Sequence, residues 1–398
     1  MLRTARTELL AGIVVALALI PEAISFSIIS GVAPEVGLFA SLTMSVVIAV
    51  LGGRPAMVSA ATGSIALVVS PLSHRYGLQY LLAAVILGGV LQILLGIAGI
   101  SRLLRFVPRP VVSGFANGLA VLIFLAQLPE LIAVPWPVYP LFGVGLLVIV
   151  GLPRVAEGVP GPLVAVVALT AFTVAAGVAV PTVGGKGALP AALPRPAVPD
   201  VPLTAHTLGV LLPYSIAFAV VGLLESLLTA RLVDELTATG SNKVRECLGL
   251  GVANIVTGFF GGLGGCAMIG QTLINIKSGA RTRVSTFVAG VALIGLCIGL
   301  GPWVARIPMA ALVAVMVMVA VGTFRWDTIS RQAWRTETVV DLGVMLVTVA
   351  GTVATGDLAV GVLIGCAATA LLSWRSRRRG QREAVPDTAP PSEQTAPE

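Results

Sequence analysis

Charge is scarce in this sequence. Of its 398 residues, 11% are Asp, Glu, Lys or Arg and 57% are hydrophobic. That is too little polar surface to coat a soluble globule of this length, so the chain needs lipid as its solvent. Histidine occurs only at His74 and His206, too far apart in sequence to suggest a metal or catalytic pair. The four cysteines, Cys247, Cys266, Cys297 and Cys366, lie in apolar surroundings without C-x-x-C spacing, the pattern of small core residues rather than of disulfides or metal ligands. A nucleophile elbow, a phosphate loop and an H-E-x-x-H motif are all missing. An enzyme is therefore not expected, nor a cofactor. The net charge of +7 would suit nucleic acid if it were clustered, but its distribution follows membrane topology instead.

What the sequence has in abundance is apolar runs. Marking those bounded by Pro, Gly or charge predicts fourteen membrane segments, near 8–30, 35–52, 55–73, 78–100, 108–128, 139–151, 161–180, 206–231, 243–263, 264–279, 283–300, 308–323, 337–354 and 357–374. With the N-terminus in the cytoplasm, 21 of the 25 basic residues fall inside and only Arg75, Lys186, Arg195 and Arg306 outside. An odd number of spans would destroy that asymmetry, so the positive-inside rule supports an even count and two cytoplasmic termini in an inner (plasma) membrane. The tryptophans, Trp136, Trp303, Trp326, Trp334 and Trp374, all fall at predicted span ends, where an amphipathic ring meets the headgroups.

A Pro-, Gly- and Ala-rich stretch divides the spans into seven and seven. Because seven is odd, the halves must sit upside down relative to each other. The expected organisation is a first repeat over 1–182, an extracytoplasmic linker over 183–205, a second repeat over 206–379 and a disordered, Pro-rich cytoplasmic tail over 380–398. The fold class is thus an all-α polytopic membrane protein built as an inverted repeat, which places a substrate site at the bilayer midplane where interrupted helices of the two halves meet.

Two segments at matched positions, the third of each half, fit that description. GGRPAMVSAATGSIALVVSP runs from Gly52 to Pro71 and GGLGGCAMIGQTLINIKSGA from Gly261 to Ala280. Each opens with a poorly helical, Gly-rich stretch and turns helical only near Thr62-Gly63-Ser64 or Gly270-Gln271-Thr272. The two helix N-termini would face one another at mid-membrane. They bring free N–H groups, two positive dipole ends and the hydroxyls of Thr62, Ser64 and Thr272, an anion site without a fixed cation.

The blocks PEAISFSIISGVAPEVGLFAS (Pro21 to Ser41), PRPVVSGFANGLAVLIFLAQ (Pro108 to Gln127), and ESLLTARLVDELT with RECLGLGVANIVTGFFGG (Glu225 to Gly262) resemble the SulP family of anion transporters over about residues 8–374. The resemblance implies a core of spans 1–4 and 8–11 moving against a gate of spans 5–7 and 12–14, a homodimer, and an anion held between spans 3 and 10. Members usually end in a cytoplasmic STAS domain, whereas the polar residues after the last span here are too few to fold. Animal members typically hold arginine where this sequence has Gln271.

Two carboxylates are predicted at hydrocarbon depth, where ionisable groups are usually functional. Glu225 precedes Arg231 by six residues, about 9 Å along a helix. With Thr229 one turn later and Gly270-x-Thr272 on span 10, it resembles the sodium site of bicarbonate-importing members, with Glu in place of Asp. The same Glu could instead carry a proton. Glu22, where Gln is common in the family, borders the anion cavity with Phe26 as an apolar wall. The expected function is secondary active transport of a small inorganic oxyanion, bicarbonate or sulfate, in symport with Na+ or H+ by alternating access. The alternatives are an uncoupled anion exchanger or channel and, further removed, a dicarboxylate or nucleobase permease.

Overall fold

The computed structural model describes residues 2–99, 108–155, 161–329, 339–356 and 358–383. Expectations that fall elsewhere, such as the headgroup position of Trp334 and the tail beyond Glu383, lie outside the described residues.

Among the described residues, fourteen helices of nine residues or more occur, one for each segment expected from the sequence. In the first half they are α1 (Leu2–Ile29), α2 (Pro34–Leu51), α3 (Gly63–Tyr76), α4 (Leu78–Ile97), α5 (Arg109–Gln127), α6 (Val138–Val155) and α7 (Gly161–Ala175). The second half has α8 (Ala205–Thr237), α9 (Lys243–Phe259), α10 (Ile269–Lys277), α11 (Val284–Gly299), α12 (Met309–Thr323), α13 (Val339–Thr355) and α14 (Leu358–Glu383). A two-residue strand precedes the third helix of each half, β1 (Ser59–Ala60) and β2 (Cys266–Ala267), and a 3-10 turn follows the fifth, Leu128–Leu131 and Trp326–Ile329. The same order of elements in two seven-helix halves is the inverted repeat. Among the described residues, five helices, including α1, α4 and α8, are long and apolar enough to cross a membrane. The helical stretches α3 and α10 are much shorter because each is completed by extended backbone.

Several boundaries differ from expectation by a few residues, such as the end of α8 at Thr237 and of α7 at Ala175. The last helix continues to Glu383, past the predicted start of the tail at residue 380. Arg, Gln and Glu are good helix formers, and a helix leaving the bilayer keeps its backbone bonded by continuing.

Helix packing sorts into two bodies. Helices α1–α4 pack with α8–α11, chiefly through α4 on α9, α1 on α11 and α2 on α11; helices α5–α7 pack with α12–α14, chiefly through α5 on α13 and α6 on α12. These are the core and the gate. Within the core the contacts come in repeat-related pairs, since α1 on α11 has its counterpart in α8 on α4.

Side chains cap the starts of α8 and α9, and a carboxylate serves the turn ahead of α11. Asn242 accepts from the Arg245 amide at 2.9 Å and Thr204 from the Thr207 amide at 3.1 Å. The Glu8 carboxylate accepts from the Arg281 and Thr282 amides at 2.7 and 3.0 Å, just ahead of α11, satisfying donors that no helix turn precedes.

Candidate anion site between two half-helices

The third segment of each half would leave unpaired amides inside the bilayer unless another part of the protein satisfied them. They satisfy each other. Strands β1 and β2 pair antiparallel, Ser59 opposite Ala267 and Ala60 opposite Cys266. Beside this ladder the Met268 amide donates to the Val58 carbonyl at 2.9 Å, the Ala267 amide to Ser226 Oγ at 3.0 Å, and Ser45 Oγ to the Ser59 carbonyl at 2.9 Å. Asn254, fully buried, holds Gly265 from both sides, accepting from its amide at 2.9 Å and donating to its carbonyl at 3.1 Å. The crossing of the two halves is therefore a short, completely buried sheet.

From this crossing α3 and α10 depart, and both N-terminal ends border one cavity of about 530 Å³ lying between core and gate. The core contributes Glu22 and Phe26 from α1, Thr62, Gly63 and Ser64 at the start of α3, Glu225 from α8, and Gly270 and Gln271 from α10. The gate contributes an apolar wall from α5, including Phe115, Leu119 and Ile123, and ends at Gly322, Thr323 and Arg325 beyond α12. Neither α3 nor α10 has a side chain capping its N-terminus, so no capping side chain takes up the first-turn amides that a helix start leaves over. Gly63 lets the wall close: a Cβ there would lie 2.9 Å from the Phe26 ring and 3.0 Å from Ile123.

Each end carries a carboxylate. At the α3 end, Ser64 Oγ and Cys266 Sγ both donate to Glu225 Oε2, the second at 3.1 Å, and Thr62 Oγ1 lies 3.2 Å from both Ser64 Oγ and Cys266 Sγ. At the α10 end, Gln271 Nε2 donates to Glu22 Oε1 at 2.6 Å. Glu22 and Gln271 are buried, whereas Glu225 is half-buried. No described metal-ligating cluster of three or more His, Cys, Asp or Glu exists here or elsewhere.

Most of the residues singled out from sequence thus gather at one cavity, but two threonines do not join it. The Thr229 hydroxyl donates to the backbone carbonyl of Glu225 at 2.8 Å, and Thr272 Oγ1 accepts from the Val58 amide at 3.0 Å; both residues are buried and neither borders the cavity. Helical spacing puts a threonine near a carboxylate, but the extended strand beside α10 offered Thr272 an amide that had no other partner. Thr272→Ala is accordingly expected to act on stability, by about 1–3 kcal/mol through the orphaned Val58 amide, and Thr272→Ser to restore most of it. Thermal melting of the purified variants checks this.

Two other residues escaped the sequence reading. Cys266 is the buried core residue that its surroundings lead one to expect, and it also contacts Glu225 and Thr62; the only sequence signal for those contacts is its place inside an interrupted span. Arg325 is the basic residue among the described residues that border the cavity. Its guanidinium is engaged by Asp327 at 2.7 Å, and that hydrogen bond holds the Asp327 carboxyl below its usual range. The Arg325 amide donates to Asn117 Oδ1 at 2.8 Å, pinning the turn to α5.

A membrane-embedded bundle of two inverted repeats, with broken helices ending at a cavity between them, is the build of a secondary transporter domain. The chain belongs to the sulfate permease family, whose sequence profile matches residues 6–138 and 138–348. It is 54% identical over 360 residues to the putative sulfate transporter YbaR of Bacillus subtilis, covering 90% of this chain and 75% of YbaR. It is 27% identical to the bicarbonate transporter BicA of a Picosynechococcus strain, covering 83% of this chain and 63% of BicA. Among solved structures, the transmembrane domain of a cyanobacterial BicA superposes with a TM-score of 0.79 at 25% identity over 90% of this chain and 98% of that domain. Murine Slc26a9, an anion transporter in its inward-facing state, shares the fold with a TM-score of 0.80 at 17% identity, over 93% of this chain and 68% of its own.

Proposed function

We propose that this chain carries a small oxyanion, sulfate or bicarbonate, across the membrane by alternating access of core and gate, driven by the co-transport of a cation. The observation that supports this most is the cavity itself, where two half-helix N-termini and two intramembrane carboxylates meet. The helix ends offer only about half a unit of positive charge each, and Gln271 adds none. Such a site balances at most a monovalent anion, and two ionised carboxylates beside it would oppose even that. Anion binding therefore calls for a cation to join the site, and by linkage the two bind with mutual cooperativity.

A proton is the cation the geometry favours. The groups around Glu225 are hydrogen-bond donors, Ser64 and Cys266, and the Thr229 and Thr272 hydroxyls that a sodium ion would need are turned to the backbone. Sodium, which the E-x-x-x-T and G-x-T resemblance puts first from the sequence, is the second reading. The charge asymmetry of the loops supports a cytoplasmic position for Arg325.

Purified protein in liposomes, offered labelled sulfate, bicarbonate and small dicarboxylates under a pH gradient, a sodium gradient or neither, tests this reading. The expected result is accumulation of one inorganic oxyanion when the compartment supplying it is the more acidic. Transport that only equilibrates the anion under every gradient would support an uncoupled exchanger or channel instead.

A further inference from the structure

The two intramembrane carboxylates occupy equivalent places in the two repeats. Glu22 lies on α1 and Glu225 on α8, the first helix of each half, and each reaches the broken third helix of the opposite half. Glu225 takes the hydroxyl of Ser64 in the first turn of α3; Glu22 takes the amide of Gln271 in the first turn of α10. A carboxylate is itself a compact oxyanion. Both lie on the wall of the same cavity, so one side-chain donor at each helix end that an incoming anion would use is already held.

We propose that Glu22 and Glu225 are tethered anions that fill the two half-helix ends in the substrate-free site, and that a transported oxyanion binds by displacing them. This rests on the transport reading above and adds how substrate and protons are linked. Each displaced carboxylate takes up one proton from water on the side the cavity faces and returns it to water on the other side once the anion has left; no other bond is made or broken. Coupling then arises from competition for the same donors rather than from a cation site beside the anion. The titratable and charged groups facing the pair, among the described residues, are each other, Cys266 on β2 and Arg325 beyond α12; α3, α5 and α10 present neutral side chains to them.

The test is equilibrium binding of sulfate, or of bicarbonate in closed cells if the liposome panel selects it, to the full chain in lipid nanodiscs across a pH series. Where both carboxylates are ionised, wild-type affinity should fall about 100-fold per pH unit, Glu225→Gln or Glu22→Gln about tenfold, and the double variant should be flat, since each tenfold step reflects one proton taken up. At the alkaline end the Gln variants should bind more tightly than wild type. Weaker binding by Glu225→Gln at every pH, or an unchanged pH slope, would overturn the proposal.

A second comparison separates competition for a donor from simple repulsion. Ser64→Ala should cost roughly tenfold in affinity in a Glu225→Ala background and distinctly less in the wild type, where its hydrogen bond is exchanged rather than gained. Equal costs in both backgrounds would leave Glu225 as a repelling charge and sink the tethering idea. Absence of sulfate and bicarbonate binding by every variant would instead count against the transport reading itself.

Discussion

Gly265→Ala is expected to abolish oxyanion uptake and to lower the melting temperature of the protein. A Cβ at this position would sit 1.9 Å from the carbonyl oxygen of Ala60 and 2.6 Å from its carbon. Both are backbone atoms of the facing strand, so no rotamer can relieve the overlap. The β1–β2 pair must part, and with it the alignment of α3 and α10 on the cavity. Overpacking of this kind costs about 1–3 kcal/mol in ordinary cores and more where backbone is the obstacle. Separation also exposes amides that have no water to turn to at this depth. Gly295→Ala in α11 serves as the control, because nothing lies within 4 Å of a Cβ there and alanine is the better helix former. Uptake into liposomes and thermal melting in detergent measure both effects. A Gly265→Ala protein with normal uptake would mean that the strand crossing does not position the site.

The Glu22→Gln/Glu225→Gln double variant is expected to lose concentrative uptake entirely while keeping exchange of internal for external anion. With both carboxylates neutral, no proton need accompany the substrate and the site still has its two helix ends. Each coupled proton multiplies the attainable accumulation ratio by about ten per unit of pH gradient, since a tenfold ratio corresponds to about 1.4 kcal/mol. Each single variant should therefore lose about tenfold of the wild-type ratio under a one-unit gradient, and the double variant should reach a ratio of one. Steady-state accumulation and counterflow of labelled anion distinguish these outcomes. Full accumulation by the double variant would place coupling elsewhere in the protein.

Much of the architecture was legible from residue patterns because membrane solvation imposes strong rules on sequence. Apolar runs had to be long enough to cross, basic residues had to stay on one side, and Gly-rich openings at matched places in the two halves marked interrupted spans. Those rules identified fourteen segments, the seven-and-seven division and the two interrupted spans, and the helices follow them closely from α1 to α13. Glu22 and Glu225 stood out for the same reason, as ionisable groups where the solvent disfavours them.

Partners across the cavity could not be read this way. Periodicity along a helix says which residues share its face, and so it set Thr229 beside Glu225, yet the hydroxyl of Thr229 bonds the backbone and that of Thr272 serves the Val58 amide. The groups that meet Glu225, namely Ser64 and Cys266, lie 161 and 41 residues away in the chain, and Gln271 lies 249 residues from Glu22. Such pairings depend on the depth and angle at which the two inverted halves cross. That crossing follows from buried amides finding each other in β1 and β2, a requirement no single segment carries within itself. The sequence by itself determined that this protein is a membrane-spanning inverted repeat with two broken helices and two intramembrane carboxylates. Tertiary structure alone decided that each carboxylate faces the helix end of the opposite half, because only the packed crossing sets the distances over which hydrogen bonds can form.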